Sequence, residues 1–184
     1  MTLRVSSTWD GNPLPEVETS EVNCFIENGE LTVLVDAPFF ADPPPDARPG
    51  STDELWKYEV VELFLLGRED RYLEIELGPH GHYLVLQLHG RRNVTRKGLP
   101  IRYETEILGK RWRGVALVPL SYLPPEINRG NAYAIHGSDD QRRYSAAFPV
   151  PGSVPDFHRL EAFGQIEWPP RAVSVARPTK ENGP

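Results

Sequence analysis

The residues with most to offer chemically are a tryptophan and a glutamate six positions apart. Trp56 and Glu62 lie in the stretch DELWKYEVVELFLL, residues 53–66, which begins as a loop and ends as an apolar run. An indole face can stack on the aliphatic face of a ring, and a carboxylate can accept hydrogen bonds from vicinal hydroxyls. Alternation along this run sends Val61, Leu63 and Leu65 to one side and Tyr58, Val60, Glu62 and Phe64 to the other. A glutamate among that second set needs a partner if it is buried. An arginine on a neighbouring strand would serve, and so would the hydroxyls of a ligand.

Glu74 and Glu76 repeat the theme, with Tyr72, opposite Leu73, Ile75 and Leu77. Side chains two apart on one strand stand about 7 Å apart, a spacing that permits a glycosidase acid and base without requiring one. Together with Arg102, Glu104, Glu106, Arg111 and Arg113, these glutamates can also form a cross-strand lattice of charge on a solvated face. His80-Gly81-His82 offers two imidazoles, but a glycine-centred turn accounts for it equally well. No spaced third ligand is evident, so neither a metal nor a cofactor is expected. No G-x-S-x-G elbow, P-loop or HExxH run is present.

The elements that must position these groups read as strands. Nineteen prolines and fifteen glycines cluster between short apolar runs, where they punctuate strands and do not interrupt helices. Period-2 alternation predicts strands near 3–8, 22–28, 30–37, 57–66, 71–78, 82–89, 101–108, 111–118, 131–138, 142–148 and 163–168. Asn28-Gly29 is the strongest hairpin signal, and Gly109-Lys110 suits a two-residue type II′ turn. Residues 119–127 are the one stretch with room for a helical turn. So many short strands point to an all-β, antiparallel β-sandwich of the jelly-roll kind. One domain is expected over residues 1–168, followed by a tail over 169–184 that frays.

Composition narrows the partners. Twenty-six acidic against twenty basic residues give a formal charge of −6, so nucleic acid is not expected. The basic cluster Arg91, Arg92, Arg96 and Lys97 reads as a solvated loop. No run approaches the roughly 18 apolar residues of a spanning helix, so no membrane partner is expected either. The single cysteine, Cys24, reads as a buried inert thiol, and the amino-terminal residues carry no apolar leader core. Both suit a cytoplasmic protein. Oligomeric state is not legible, although Phe39-Phe40 could contact a partner or a second copy.

The order of the motifs LWKYEVVELFL, YLEIELGPHGHYLVLQLHG, GVALVPLSYLP, NAYAIHGSDDQRRYSAAFPVPG and PDFHRLEAFGQIEW resembles an uncharacterised, DOMON-like family related to the family-9 carbohydrate-binding modules. The resemblance runs from about Leu31 to Trp168 and implies a jelly-roll sandwich. It matches Trp56 to the stacking tryptophan of those modules and Glu62 to their hydroxyl-binding glutamate. Their second aromatic clamp falls near Asp156-Phe157-His158-Arg159, where this sequence has no tryptophan. The expectation is a non-catalytic module for a carbohydrate or similar polyhydroxylated small molecule, with His136, Arg142, Arg143, His158 and Arg159 as rim or cavity groups around Trp56 and Glu62. Two rivals stay open: a sugar-active enzyme using Glu62, Glu74 or Glu76, and a structural or interaction protein.

Overall fold

The computed structural model describes residues 1–150 and 152–168; the tail from Pro169 lies outside the described residues. Its strands are β1 (Thr2–Val5), β2 (Ser7–Thr8), β3 (Ser20–Glu27), β4 (Glu30–Pro38), β5 (Gly50–Ser51), β6 (Val60–Leu66) and β7 (Arg71–Leu77). They continue as β8 (His82–His89), β9 (Val94–Lys97), β10 (Arg102–Leu108), β11 (Arg111–Pro119), β12 (Arg129–His136), β13 (Arg143–Ala146) and β14 (Gly164–Gln165). One sheet has the order β1-β3-β4-β11-β10. The other runs β2-β13-β12-β6-β7-β8-β5, with β14 beside β12 and β9 beside β8. Every pairing is antiparallel except the short contact of β5 with β8. No α-helix occurs among the described residues, and none of their helices is long and apolar enough to cross a membrane.

Local chemistry sets the tight turns. Asn28 and Gly29 both take positive φ, 51° and 78°, as the type I′ hairpin between β3 and β4 requires. Gly109 has φ 64° in the two-residue link that pairs Leu108 with Arg111. Residues 120–122 form a single 3₁₀ turn in the stretch with room for one.

The two sheets bury their facing sides in one core. Leu31, Val33 and Val35 of β4 meet Val61, Leu63 and Leu65 of β6 and Leu73, Ile75 and Leu77 of β7, all fully or almost fully buried. Cys24 lies in the same core, and burial raises its thiol to about 12. Ile75 is enclosed on a central strand, so Ile75→Ala should leave a cavity and cost about 2–5 kcal/mol. Denaturant titration measures this; a loss well under about 1 kcal/mol would mean the site collapses around the smaller side chain.

The outer face of the larger sheet is also buried. Leu55, Phe64, Tyr72, Tyr133, Phe157 and Phe163 form a second apolar cluster there, with side chains from the flanking loops closing over the strands. This changes the reading of the glutamates on β6 and β7, which are not part of a solvated lattice. Among the described residues a lattice of that kind forms on the smaller sheet, with other partners. Arg111 and Arg113 share Asp36 at 2.5 and 2.9 Å, and Arg102 pairs with Glu30.

The basic cluster also differs from a free loop. Lys97 and Arg96 sit on β9, which pairs along β8, while Arg91 and Arg92 both clamp Asp156. Nothing in the apolar pattern of Val94–Lys97 announces a strand, because all four residues are exposed and backbone pairing holds them.

Candidate functional site

Register on the larger sheet brings the carboxylates together. Tyr133 of β12 lies opposite Glu62 of β6, which lies opposite Glu76 of β7, which lies opposite Leu84 of β8. The next row on the same face is Asn131, Phe64, Glu74 and Leu86. Glu62, Glu74 and Glu76 are therefore neighbours on one face, with only 2%, 3% and 0% of their surface exposed. Each offers an oxygen within 4.8 Å of the others.

Above this floor is a cavity of about 620 Å³. Trp56, Glu62, Glu74, Arg142, Tyr144 and Phe157 line it, together with His158, Arg92, Lys57 and the apolar side chains Leu86, Leu88 and Ile135. Its volume falls in the range of small-molecule sites, about 300–1,000 Å³. A mixed lining of aromatic rings, aliphatic side chains and a few convergent charges is also typical of them.

The loop that carries Trp56 is fixed at both ends. Leu55, in the 3₁₀ turn Leu55–Lys57, is fully buried in the outer cluster, which leaves Trp56 38% exposed at the cavity wall. Arg142 then ties the turn to the far side, donating to the carbonyls of Trp56, Lys57 and Gly137. The opposite wall is pinned by stacking. Phe157 lies flat on Tyr133 with ring centroids 3.8 Å apart, and the Tyr133 hydroxyl donates to the Phe157 carbonyl at 3.3 Å.

His158 completes that wall. The Arg92 backbone N–H donates to the Tyr72 hydroxyl, which lies 2.8 Å from His158 Nδ1. Burial, followed by the charge of Arg92, depresses His158 to about 4, so the ring is neutral near pH 7. Its other ring nitrogen, Nε2, faces Glu74 Oε2 at 4.0 Å. That contact is between a neutral imidazole and a carboxyl group, and is not an ion pair.

Burial dominates the carboxyl groups. It pushes Glu62 well above the usual carboxylate range, with Glu74 adding to the rise and Arg142 opposing it. Glu76 is raised by burial and by both other glutamates. Glu74 is raised by burial to about 8. Glu74 Oε2 and both oxygens of Glu76 make no hydrogen bond of good geometry, although the Trp56 backbone N–H lies beside Glu76 and the Glu74 and Glu76 carboxyl groups adjoin each other. No lysine or arginine among the described residues lies in ion-pair range of the three.

Of the residues singled out from sequence, Trp56, Glu62, Arg142 and His158 line this cavity. The other three lie elsewhere. His136 stacks on Phe40 with centroids 3.5 Å apart, and Phe40 thereby gains a partner within the chain. Arg143 donates to backbone carbonyls outside the cavity, and Arg159 pairs with Glu161 at 2.9 Å. Phe157, in the segment matched to the second aromatic clamp, supplies an aromatic ring without a tryptophan. Tyr144, Arg92 and Lys57 were not singled out. Alternation could have placed Tyr144, but Arg92 is held at the site by two tertiary contacts, its side chain on Asp156 and its backbone N–H on the Tyr72 hydroxyl.

No family model matches the chain. The Mus musculus UPF0462 protein C4orf33 homolog is 46% identical over 172 residues, covering 89% of both chains. The Homo sapiens UPF0462 protein C4orf33 is 45% identical over 174 residues, covering 89% of this chain and 86% of its own. The Danio rerio homolog is 42% identical over 174 residues, 89% and 87% of the two chains. Among solved structures, a Bacteroides uniformis protein with a provisional carbohydrate-binding assignment superposes with a TM-score of 0.68 at 14% identity, over 90% of this chain and 84% of its own. A family-9 carbohydrate-binding module of Caldicellulosiruptor kristjanssonii, in complex with cellotriose, gives 0.46 at 17% identity over 70% and 65%. The structural likeness establishes the sandwich fold, and the sequence identity, sustained along nearly nine tenths of the chain, places it in the UPF0462 (C4orf33) family.

Proposed function

We propose that this protein is a non-catalytic binding module whose cavity takes a carbohydrate or another polyhydroxylated small molecule. One observation carries the reading: a half-exposed indole, Trp56, and two buried carboxyl groups, Glu62 and Glu74, line the same cavity. That combination supplies an apolar platform for a ring face and hydrogen-bonding groups for its hydroxyls. The resemblance of its motif order to that of the family-9 carbohydrate-binding modules supports the reading. A single cysteine, buried and free, suits work in a reducing compartment such as the cytoplasm.

The enzyme reading is weaker on geometric grounds. A glycosidase places its two carboxyl groups on either side of the scissile bond. Here the glutamates stand side by side on one floor. The interaction-protein reading loses part of its basis, because Phe39 packs against the core and Phe40 on His136.

Calorimetric screening of neutral, acidic and phosphorylated sugars tests the proposal. If one binds, Trp56→Ala should weaken it by about 1–2 kcal/mol through lost stacking. Glu62→Gln, which replaces a carboxyl group that burial keeps protonated, should cost about 0.5–1.5 kcal/mol through an altered hydrogen bond. Trp56 sits on an anchored but exposed turn, so its removal should leave the melting temperature nearly unchanged. Unaltered affinity in both variants would exclude this cavity as the ligand site.

A further inference from the structure

The floor of the cavity holds more carboxyl groups than its surroundings provide partners for. Three glutamates converge from two adjacent strands, almost wholly buried, with oxygens within 4.8 Å of one another. Three of those oxygens make no hydrogen bond of good geometry, including both of Glu76, which has no exposed surface; the Trp56 backbone N–H and the neighbouring Glu74 carboxyl are the groups that adjoin Glu76. Buried charge of this kind requires a compensating cation or proton. The nearest imidazole, His158, directs its Nε2 side to Glu74 from 4.0 Å, beyond hydrogen-bond reach. Of the two guanidinium groups on the cavity wall, Arg142 is already bound to three backbone carbonyls and Arg92 to Asp156.

We propose that Glu62, Glu74 and Glu76 form a binding site for one hard divalent cation, of the Ca²⁺ or Mn²⁺ kind, at the base of the cavity. The donor set is all oxygen, which such cations prefer and softer metals do not. Two oxygens on one calcium ion are separated by at most about 5 Å, given metal–oxygen distances of about 2.3–2.6 Å, and the trio meets that limit. Arg142 and Arg92 line the same cavity, but neither forms an ion pair with the three carboxyl groups. Glu62 and Glu74 border the cavity, so the ion has a path in. Its remaining coordination positions would face the open volume. If the carbohydrate reading also holds, sugar hydroxyls could fill those positions, making sugar binding cation-dependent.

The test uses the full chain, stripped with a chelator, dialysed and titrated with MnCl₂ and CaCl₂ in a calorimeter, with bound Mn²⁺ counted by electron paramagnetic resonance. The expected result is saturable binding of one ion per chain. Glu76→Gln keeps the side chain's shape and does not border the cavity; it should weaken binding at least tenfold. Asp36→Asn, on the other sheet, should not. A thermal melt confirms that both variants fold, and added Mn²⁺ should raise the melting temperature of the parent but not of Glu76→Gln. No binding at millimolar metal, or equal binding by parent and Glu76→Gln, would overturn the site. The sugar screen, run with chelator and with Mn²⁺, separates the two proposals. Metal binding without any sugar retains the cation site and removes the carbohydrate reading, while sugar binding in chelator without metal binding does the reverse.

Discussion

In chelator, the protein should lose stability as the pH rises from about 6.5 to 8.5. The folded state holds Glu62, Glu74 and Glu76 in protonated form far above the pH at which the unfolded chain releases those protons. The folded state therefore binds more protons than the unfolded one, and the slope of unfolding free energy against pH is negative. This contribution is complete below the ordinary carboxylate value of 4.5 and is lost as the pH climbs through about 8, where Glu74 titrates. Below pH 6.5 His158 acts in the opposite sense: it folds neutral with a value near 4 and costs stability as the solution acidifies. The window above 6.5 therefore isolates the glutamates. Glu74 alone should contribute about 2 kcal/mol across it, with Glu62 and Glu76 adding in the same direction. Urea titrations at pH 6.5, 7.5 and 8.5 measure the slope, and Glu74→Gln should flatten it. A stability that rises over this range would show that the trio is ionised and paired when folded.

Replacing Asn131 should be among the most damaging single changes in the chain. It is wholly buried and uses its full hydrogen-bonding capacity. Its Nδ2 donates to the Tyr133 hydroxyl and the Phe148 carbonyl, both at 2.8 Å. Its Oδ1 accepts from the N–H groups of Ala132 and Phe148, both at 2.9 Å. Asn131→Leu removes all four bonds and leaves the N–H and C=O of Phe148 without these partners. At about 1–3 kcal/mol for each buried polar group left unpaired, the expected cost is about 3–5 kcal/mol. The effect should extend to the cavity, because Tyr133 is the ring on which Phe157 stacks. Chemical denaturation gives the stability loss and calorimetry with an identified ligand gives the loss of affinity. A cost below about 1 kcal/mol would mean that water replaces the amide.

The sequence by itself determined the sandwich and its core. Alternation in Leu31, Val33 and Val35, in Val61, Leu63 and Leu65, and in Leu73, Ile75 and Leu77 is a consequence of the two-residue period of a strand. Those nine side chains meet where that period sends them. Asn28-Gly29 and Gly109-Lys110 were legible as turns because φ/ψ demands act on the residue itself. The weakly held edges were not. β5 and β9 are kept by backbone hydrogen bonds to β8, and backbone groups are the same in every residue.

The same division runs through the candidate site. Alternation placed Glu62, Glu74 and Glu76 on one face, yet it could not say whether that face met water. Tertiary structure decided it, by laying Leu55 and Phe157 over the larger sheet and so turning a row of ordinary glutamates into a buried trio. Register between β6 and β7 set Glu62 directly opposite Glu76, a matter of strand pairing that no local pattern encodes. Trp56 and His158, 102 positions apart in the chain, line one cavity because loops at its two sides are tied down independently, by Leu55 and Arg142 and by Tyr133 and Tyr72. Residue type and period are properties of the chain, whereas burial and proximity depend on what else folds on top.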